Sequence, residues 1–238
     1  MRSPDRVRLA LIALSALGVA TAATAQRARD RFLVADPSQV VAAELAFARL
    51  AQEKGQWTAF AQTSTEKAVM FVPQPVLAHQ WLKGRANPAV AVKWQPHQVW
   101  LSCDGSLAVT KGPWQRPQGV GYFTTVWQRQ RDGQYKWVMD QGDGLEQALP
   151  EPEMIGGKVA SCERRPEAFG RRGLSSHAAM ASVTPTACTG DSCSGGGTSA
   201  DGTLTYRYET TPKGRLFTVQ QRQDGAMSEV LRSEVSAE

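Results

Sequence analysis

The sequence predicts an α+β protein: N-terminal helices packed on a strongly curved, mainly antiparallel sheet, followed by a separate three-stranded β meander. Three observations lead there. Apolar residues recur at helical spacing between Asp36 and Ala61 and switch to a period of two from Trp94 onward. All seven tryptophans lie between Trp57 and Trp137, so the main core belongs to that half of the chain. After Pro150 the chain becomes rich in Gly, Ser, Thr and Pro, and alternation resumes only at Thr203.

The elements follow in order. Residues 1–25 read as a secretory signal: Arg2, Arg6 and Arg8, then the apolar run "LALIALSALGVA", then the small residues Ala23-Thr24-Ala25. A mature chain starting near Gln26 is expected in the periplasm or outside the cell, with no further membrane span. Asp36-Pro37 is a helix start, with a capping carboxylate and proline in the first turn. Val40, Ala43, Phe47 and Leu50 carry the helix to Gly55, and Trp57 with Phe60 suggests a shorter one. "AVMFV" (68–72) is strand-like, and "PVLAHQWLKG" (75–84) offers one or two helical turns. Strands are expected in 93–103, 106–114, 121–131 and 134–142, with turns at Asp104-Gly105, Pro117–Gly119 and Asp132-Gly133. Residues 26–149 thus form one domain, 150–202 a low-complexity linker, and 203–238 a meander with turns at 212–214 and Asp224-Gly225.

Charge and cysteine narrow the function. Removing the signal lowers Lys+Arg from 27 to 24 and Asp+Glu from 22 to 21, a net charge of +3. No face or run concentrates that charge, which argues against nucleic acid as a partner. Cys103, Cys162, Cys188 and Cys193 permit three pairings in an oxidising compartment; Cys188 and Cys193 can close a small loop, and Cys103 can equally be a buried thiol. With no CxxC and no HxH or HExxH spacing, neither metal nor other cofactor is expected. "TGDSCSGGG" (189–197) resembles the surroundings of a trypsin-like nucleophile, but lacks the upstream His and Asp strands and reads as linker composition.

The hairpin "TVWQRQRDGQYKWVMDQGD" (125–143) has large apolar groups on both faces. With a two-residue turn at Asp132-Gly133, Val126 pairs with Met139 and Gln128 with Trp137 on one face. Thr125–Asp140, Trp127–Val138 and Arg129–Lys136 fall on the other. Such a sheet is covered on both sides, or covered on one and curled around a cavity on the other.

The stretches "VWLSCDGSLAVTKGPW" (99–114) and "TVWQRQRDGQYKWVMDQG" (125–142), with the helices and "AVMFVP" before them, resemble the nuclear transport factor 2-like superfamily, in particular its SnoaL-like exported domains of unassigned function. The resemblance covers about residues 36–145. It implies a cystatin-like cone, with helices against a bent sheet and a pocket open at one end. It also implies a homodimer through the sheet, as many such domains form. The superfamily hosts isomerases, dehydratases, cyclases and non-catalytic binders, so the scaffold fixes no chemistry. Its ketosteroid-isomerase-like members carry a carboxylate base before a proline. Here "FVPQPV" offers Gln74 before Pro75, and an amide cannot abstract a proton.

Asp140, His79 and His97 are the candidate catalytic groups: a desolvated carboxylate with an imidazole beside it can move protons near neutral pH. The bland alternatives are a strand-end carboxylate tied to a threonine and two structural histidines. Trp81, Trp100, Trp114, Tyr122 and Trp127 are the candidate pocket lining, with core packing as the competing role. Three functions follow. The leading one is non-catalytic binding of a small apolar molecule, or no assignable activity. The second is an acid–base isomerase, dehydratase or cyclase, and the third a structural, partner-binding protein.

Overall fold

Asp36 begins the first helix: its carboxylate accepts the Ser38 N–H at 2.9 Å and so satisfies one of the backbone donors left free at a helix start. The computed structural model describes residues 35–162 and 179–237; the expected export signal lies outside them. Helix α1 spans Pro37–Lys54 and ends where Gly55, at φ 96°, donates to Ala51 O. Helix α2, Gln56–Thr63, has no side chain of its own at its N-terminus. Asn87, from the loop beyond, supplies the cap by accepting the Trp57 and Thr58 N–H groups at 2.7 and 3.2 Å. That loop is thereby pinned to the helices.

The first sheet is built from β1 (Ser64–Phe71), β2 (Pro75–Leu77), β3 (Lys93–Trp94), β4 (Gln98–Leu101), β5 (Leu107–Arg116), β6 (Gly119–Arg129), β7 (Tyr135–Leu145) and β8 (Gly156–Val159), with the short helix α3 (Ala78–Leu82) after β2. Its order is β2-β1-β7-β6-β5-β4-β8, with β3 on β5. The sheet is curved and mixed. β1 runs parallel to β7 and β8 parallel to β4, and the other pairs are antiparallel.

The second sheet has five antiparallel strands: β9 (Ser182–Thr189), β10 (Ser192–Thr198), β11 (Leu204–Thr211), β12 (Gly214–Gln223) and β13 (Ala226–Ser236). The expected three-stranded meander is therefore β11–β13, and the segment read as linker supplies β8, β9 and β10. Composition misled here for a steric reason. In "SGGG", a Cβ on Gly195 would sit 2.2 Å from Tyr208 Oη, and one on Gly197 2.6 Å from the Tyr206 ring. The glycines leave room for tyrosines lying across a strand, and are not the mark of a flexible chain.

Both faces of the first sheet are covered. One packs against the helices through Phe47, Ala51, Met70, Val99, Leu101, Trp127 and Trp137. The other packs against the second sheet through Trp100, Leu107, Val109, Val126, Val138 and Met139, which meet Leu204, Tyr206, Phe217, Val219 and Leu231. The face through which the resemblance implied a homodimer is thus occupied by residues of the same chain. Two disulfides, Cys103–Cys162 and Cys188–Cys193, are formed. Cys103 is no buried thiol; its bond ties the β4–β5 turn to the segment after β8.

The 125–143 hairpin corrects one expectation. Thr125 pairs with Asp140 and Val126 with Met139, but then the register shifts, so that Trp127 meets Trp137 and Gln128 meets Lys136. The turn is also longer than two residues, with Gln130 N donating to Gln134 O at 2.7 Å. The bulge turns both indoles toward the helices and both Val138 and Met139 toward the second sheet. A regular ladder would have sent Trp137 and Val138 to the wrong layers.

Candidate functional site

A cavity of 350 Å³ opens between the helices and the far end of the first sheet. Phe47 of α1 and Phe60 of α2 form one wall, Trp94 of β3 and Trp114 of β5 the next, and Phe123 of β6 with Asp140 of β7 complete it. The rings brace one another: Phe47 lies 4.9 Å from Phe60 and 4.8 Å from Trp94, both edge to face. Trp114 lies flat because the residue opposite it is Gly121, whose Cβ would fall 2.3 Å from the indole. Arg116 and Asp143 add charge at the lining.

Asp140 is the more deeply buried of the two acids at this cavity. Its Oδ2 accepts the Thr125 hydroxyl at 2.7 Å across the β6–β7 pair. Burial pushes its carboxyl up to about 7. The Thr125 bond opposes that, Glu44 adds to it, and the charge of Arg215 opposes it. Arg215 comes from the second sheet, where it donates to Gly142 O at 2.9 Å and stacks over Phe71.

Glu44 is the group that reading the sequence missed. It is fully buried on α1, on one stripe with Val40, Phe47 and Ala51. Its Oε1 accepts Trp94 Nε1–H at 2.7 Å; its Oε2 accepts the Thr110 hydroxyl at 2.6 Å and Trp127 Nε1–H at 3.0 Å. Burial raises its pKa and the three donors lower it. The signal was present: Val40, Glu44, Phe47 and Ala51 follow helical spacing, so an acid stood within an apolar stripe.

The histidines do not join Asp140. His79, on α3, has its Nε2 2.9 Å from the buried Ser64 Oγ, and does not line the cavity. His97, at the start of β4, also lies outside it. Burial lowers its pKa against the pull of Glu151, and its Nε2 has no hydrogen-bond partner. The expected carboxylate–imidazole pair is therefore not assembled; the largest effect of a charged side chain on Asp140 comes from Glu44.

Of the five expected lining aromatics, only Trp114 lines the cavity. Trp127 is buried core, its indole N–H bonded to Glu44. Trp100 faces the second sheet, and Tyr122 reaches Ser233 Oγ of that sheet at 2.7 Å. Trp81 packs on Trp57, 5.2 Å away, under the Arg85 guanidinium. The four rings that replace them belong to Phe47, Phe60, Trp94 and Phe123.

A wider groove, 800 Å³, opens between β1, β2 and β9, walled by Val69, Val138, Met139, Val183 and Tyr206. Its charged groups, Glu66 and Lys67, are both exposed. Among the described residues, no three His, Cys, Asp or Glu are grouped to hold a metal, and no helix is long and apolar enough to cross a membrane.

No protein-family profile and no curated protein matches the sequence. Among solved structures, the chain is similar to a candidate ketosteroid isomerase from Parabacteroides distasonis ATCC 8503. The identity is 17% and the TM-score 0.35, over 43% of this chain and 85% of the other. A likeness of that strength fixes no chemistry.

Proposed function

We propose that this chain is an exported protein of the nuclear transport factor 2-like type that binds one small, flat, mainly apolar molecule in the cavity between its helices and first sheet. The observation that carries the reading is the cavity itself: five aromatic side chains around 350 Å³, with one acid, Asp140, set back among them and the exposed Asp143 and Arg116 also at the lining. An aromatic cage supplies stacking area, and one polar group fixes orientation. A hydroxyl or carbonyl on the ligand is the natural partner for that carboxyl. The helices-on-curved-sheet layout with a pocket at one end agrees with the resemblance of residues 36–145.

Two experiments test it. Organic extraction of the purified protein followed by mass spectrometry should release a molecule of this class. Titration with 2-naphthol should change the emission of Trp94 and Trp114 in saturable fashion, and Trp114→Ala should move saturation to about tenfold higher ligand or beyond. Purified protein that yields no extract and shows no saturable response contradicts binding.

One observation favours a second reading, proton transfer on such a molecule. A carboxyl held near 7 is poised to give and take a proton at neutral pH. The two readings separate at Asp140→Asn. A binder keeps most of its affinity, whereas an isomerase, dehydratase or cyclase loses turnover at least 100-fold with little change in binding.

A further inference from the structure

The two sheets share more than an interface. "SCDGSL" (102–107) recurs as "SADGTL" (199–204), "RPQG" (116–119) as "TPKG" (211–214), and "TVWQRQRDG" (125–133) as "TVQQRQDG" (218–225). The same turn results in both places. Gly105 N donates to Ser102 O at 3.1 Å, and Gly202 N to Ser199 O at 3.0 Å. The hydroxyls of Ser102 and Ser199 each donate to the aspartate two residues on at 2.7 Å. Arg129 N donates to Ser106 O, and Arg222 N to Thr203 O.

The strands correspond as well. Leu107 pairs with Gln128, as Leu204 does with Gln221. Beyond that pair the second hairpin is two residues shorter in each arm, an even number that preserves which face each side chain takes. The bulge also repeats. Val126–Met139 is followed by Trp127–Trp137, and Val219–Leu231 by Gln220–Glu229, each skipping one residue of the later strand.

The contact between the copies is reciprocal. Cys103 N donates to Thr203 Oγ1 at 2.9 Å, and its counterpart Ala200 N donates to Ser106 Oγ at 2.8 Å. Equivalent residues meet in one core: Leu107 with Leu204, Val126 with Val219, Met139 with Leu231. The equivalent buried glutamines each cross to the other layer, Gln128 to Ala181 O and Gln221 to Leu101 O. Residue i touching j while j's equivalent touches i's equivalent is the mark of an isologous, two-fold interface.

We infer that residues 192–236 are a second, helix-less copy of the meander 98–145, standing where the partner of a two-fold dimer would stand. The sheet–sheet contact is a subunit interface built within one chain. The copy has shed its cone. At the positions of Trp127, Trp137 and Asp140 it carries Gln220, Glu229 and Arg232, and Arg232 bonds Glu234 at 2.7 Å in the open. A chain of this kind is a monomer in which only the first meander carries a helix-covered pocket, and its second sheet is as firmly held as its first.

The test uses the full mature chain. Sedimentation at micromolar concentration should give the mass of one chain, and amide hydrogen exchange should protect β11 and β12 as strongly as β5 and β6. Ser106→Ala and Thr203→Val each remove one of the reciprocal bonds, Thr203→Val also the hydroxyl's bond to Asp201 Oδ1 at 2.9 Å, and each should lower Tm by more than about 2 °C. The exchange pair Ser106→Thr with Thr203→Ser, which swaps the residues between copies, should hold Tm within the same margin. A stable two-chain particle, rapid exchange in residues 204–223, or loss of Tm at only one of the two positions would overturn the inference.

Discussion

Replacing Asp140 by asparagine should stabilise the protein at neutral and alkaline pH and leave it nearly unchanged in acid. Asn keeps the shape, and its carbonyl can still accept the Thr125 hydroxyl, which bonds Asp140 at 2.7 Å. What it removes is a carboxylate that the fold holds unwillingly. In the native state burial raises the carboxyl to about 7, while an unfolded chain returns it to 3.8. The native state therefore binds the proton more tightly, and between those values stability falls as pH rises. At 1.36 kcal/mol per unit, three units set a ceiling of about 4 kcal/mol. Asp140 keeps part of its surface open to the cavity, and solvent there reduces the effect to about 2 kcal/mol. For a protein of this size that is roughly 4–8 °C in Tm. Thermal unfolding of both proteins from pH 4 to pH 9 is the assay. The curves should converge near pH 4 and stand fully apart by pH 8, with the variant higher. Parallel curves, or a wild type that gains on the variant as pH rises, would refute the reasoning.

Further outcomes follow from the same geometry. Trp114→Ala removes one face of the aromatic cage without touching the buried core, and calorimetry should show 2-naphthol affinity falling about tenfold or more while the pH 7 Tm moves little. Glu44→Ala leaves the half-buried Trp94 indole N–H without its partner and takes from Trp127 and Thr110 the shorter of their two bonds, and chemical denaturation should show a loss of about 2–4 kcal/mol. Glu44→Gln, by removing a charge that raises Asp140, should shift the Asp140-dependent stability midpoint to lower pH. Opening Cys103–Cys162, which spans 59 residues, should cost about 4 kcal/mol in the chain-entropy estimate, against about 2 kcal/mol for Cys188–Cys193, which spans 5. Denaturant midpoints of the two paired Cys→Ser variants measure the difference.

Much of the first half was legible in the sequence because its signals are local. Asp36-Pro37 and Gly55 bound α1 as expected, and the period of two from Trp94 placed β4 to β7 within a few residues. The Thr125–Asp140 pair was readable because it lies before the bulge; the pairs beyond were not, since a bulge follows from what covers each face and no local rule places it at Val138. The pocket lining failed for the same reason. Whether Trp100 or Trp94 faces the helices depends on the layer packed opposite, and that layer is a sheet formed more than 80 residues downstream. Glu44 was hidden by habit of reading acids as surface, although its place in the stripe marked it. The second sheet was under-read because glycine density resembles linker, and the neighbours that explain it, Tyr206 and Tyr208, act across strands. The repeated "S-x-D-G-x-L" turn was in plain view and needed only comparison of the chain with itself.

Co-crystallisation of the mature protein with 2-naphthol tests the aromatic cavity most directly. The ring should lie between Phe60, Trp94 and Trp114, with its hydroxyl within hydrogen-bonding distance of Asp140. A crystal whose cavity stays empty at saturating ligand, or whose ligand sits instead in the groove beside Val183 and Tyr206, would contradict the account.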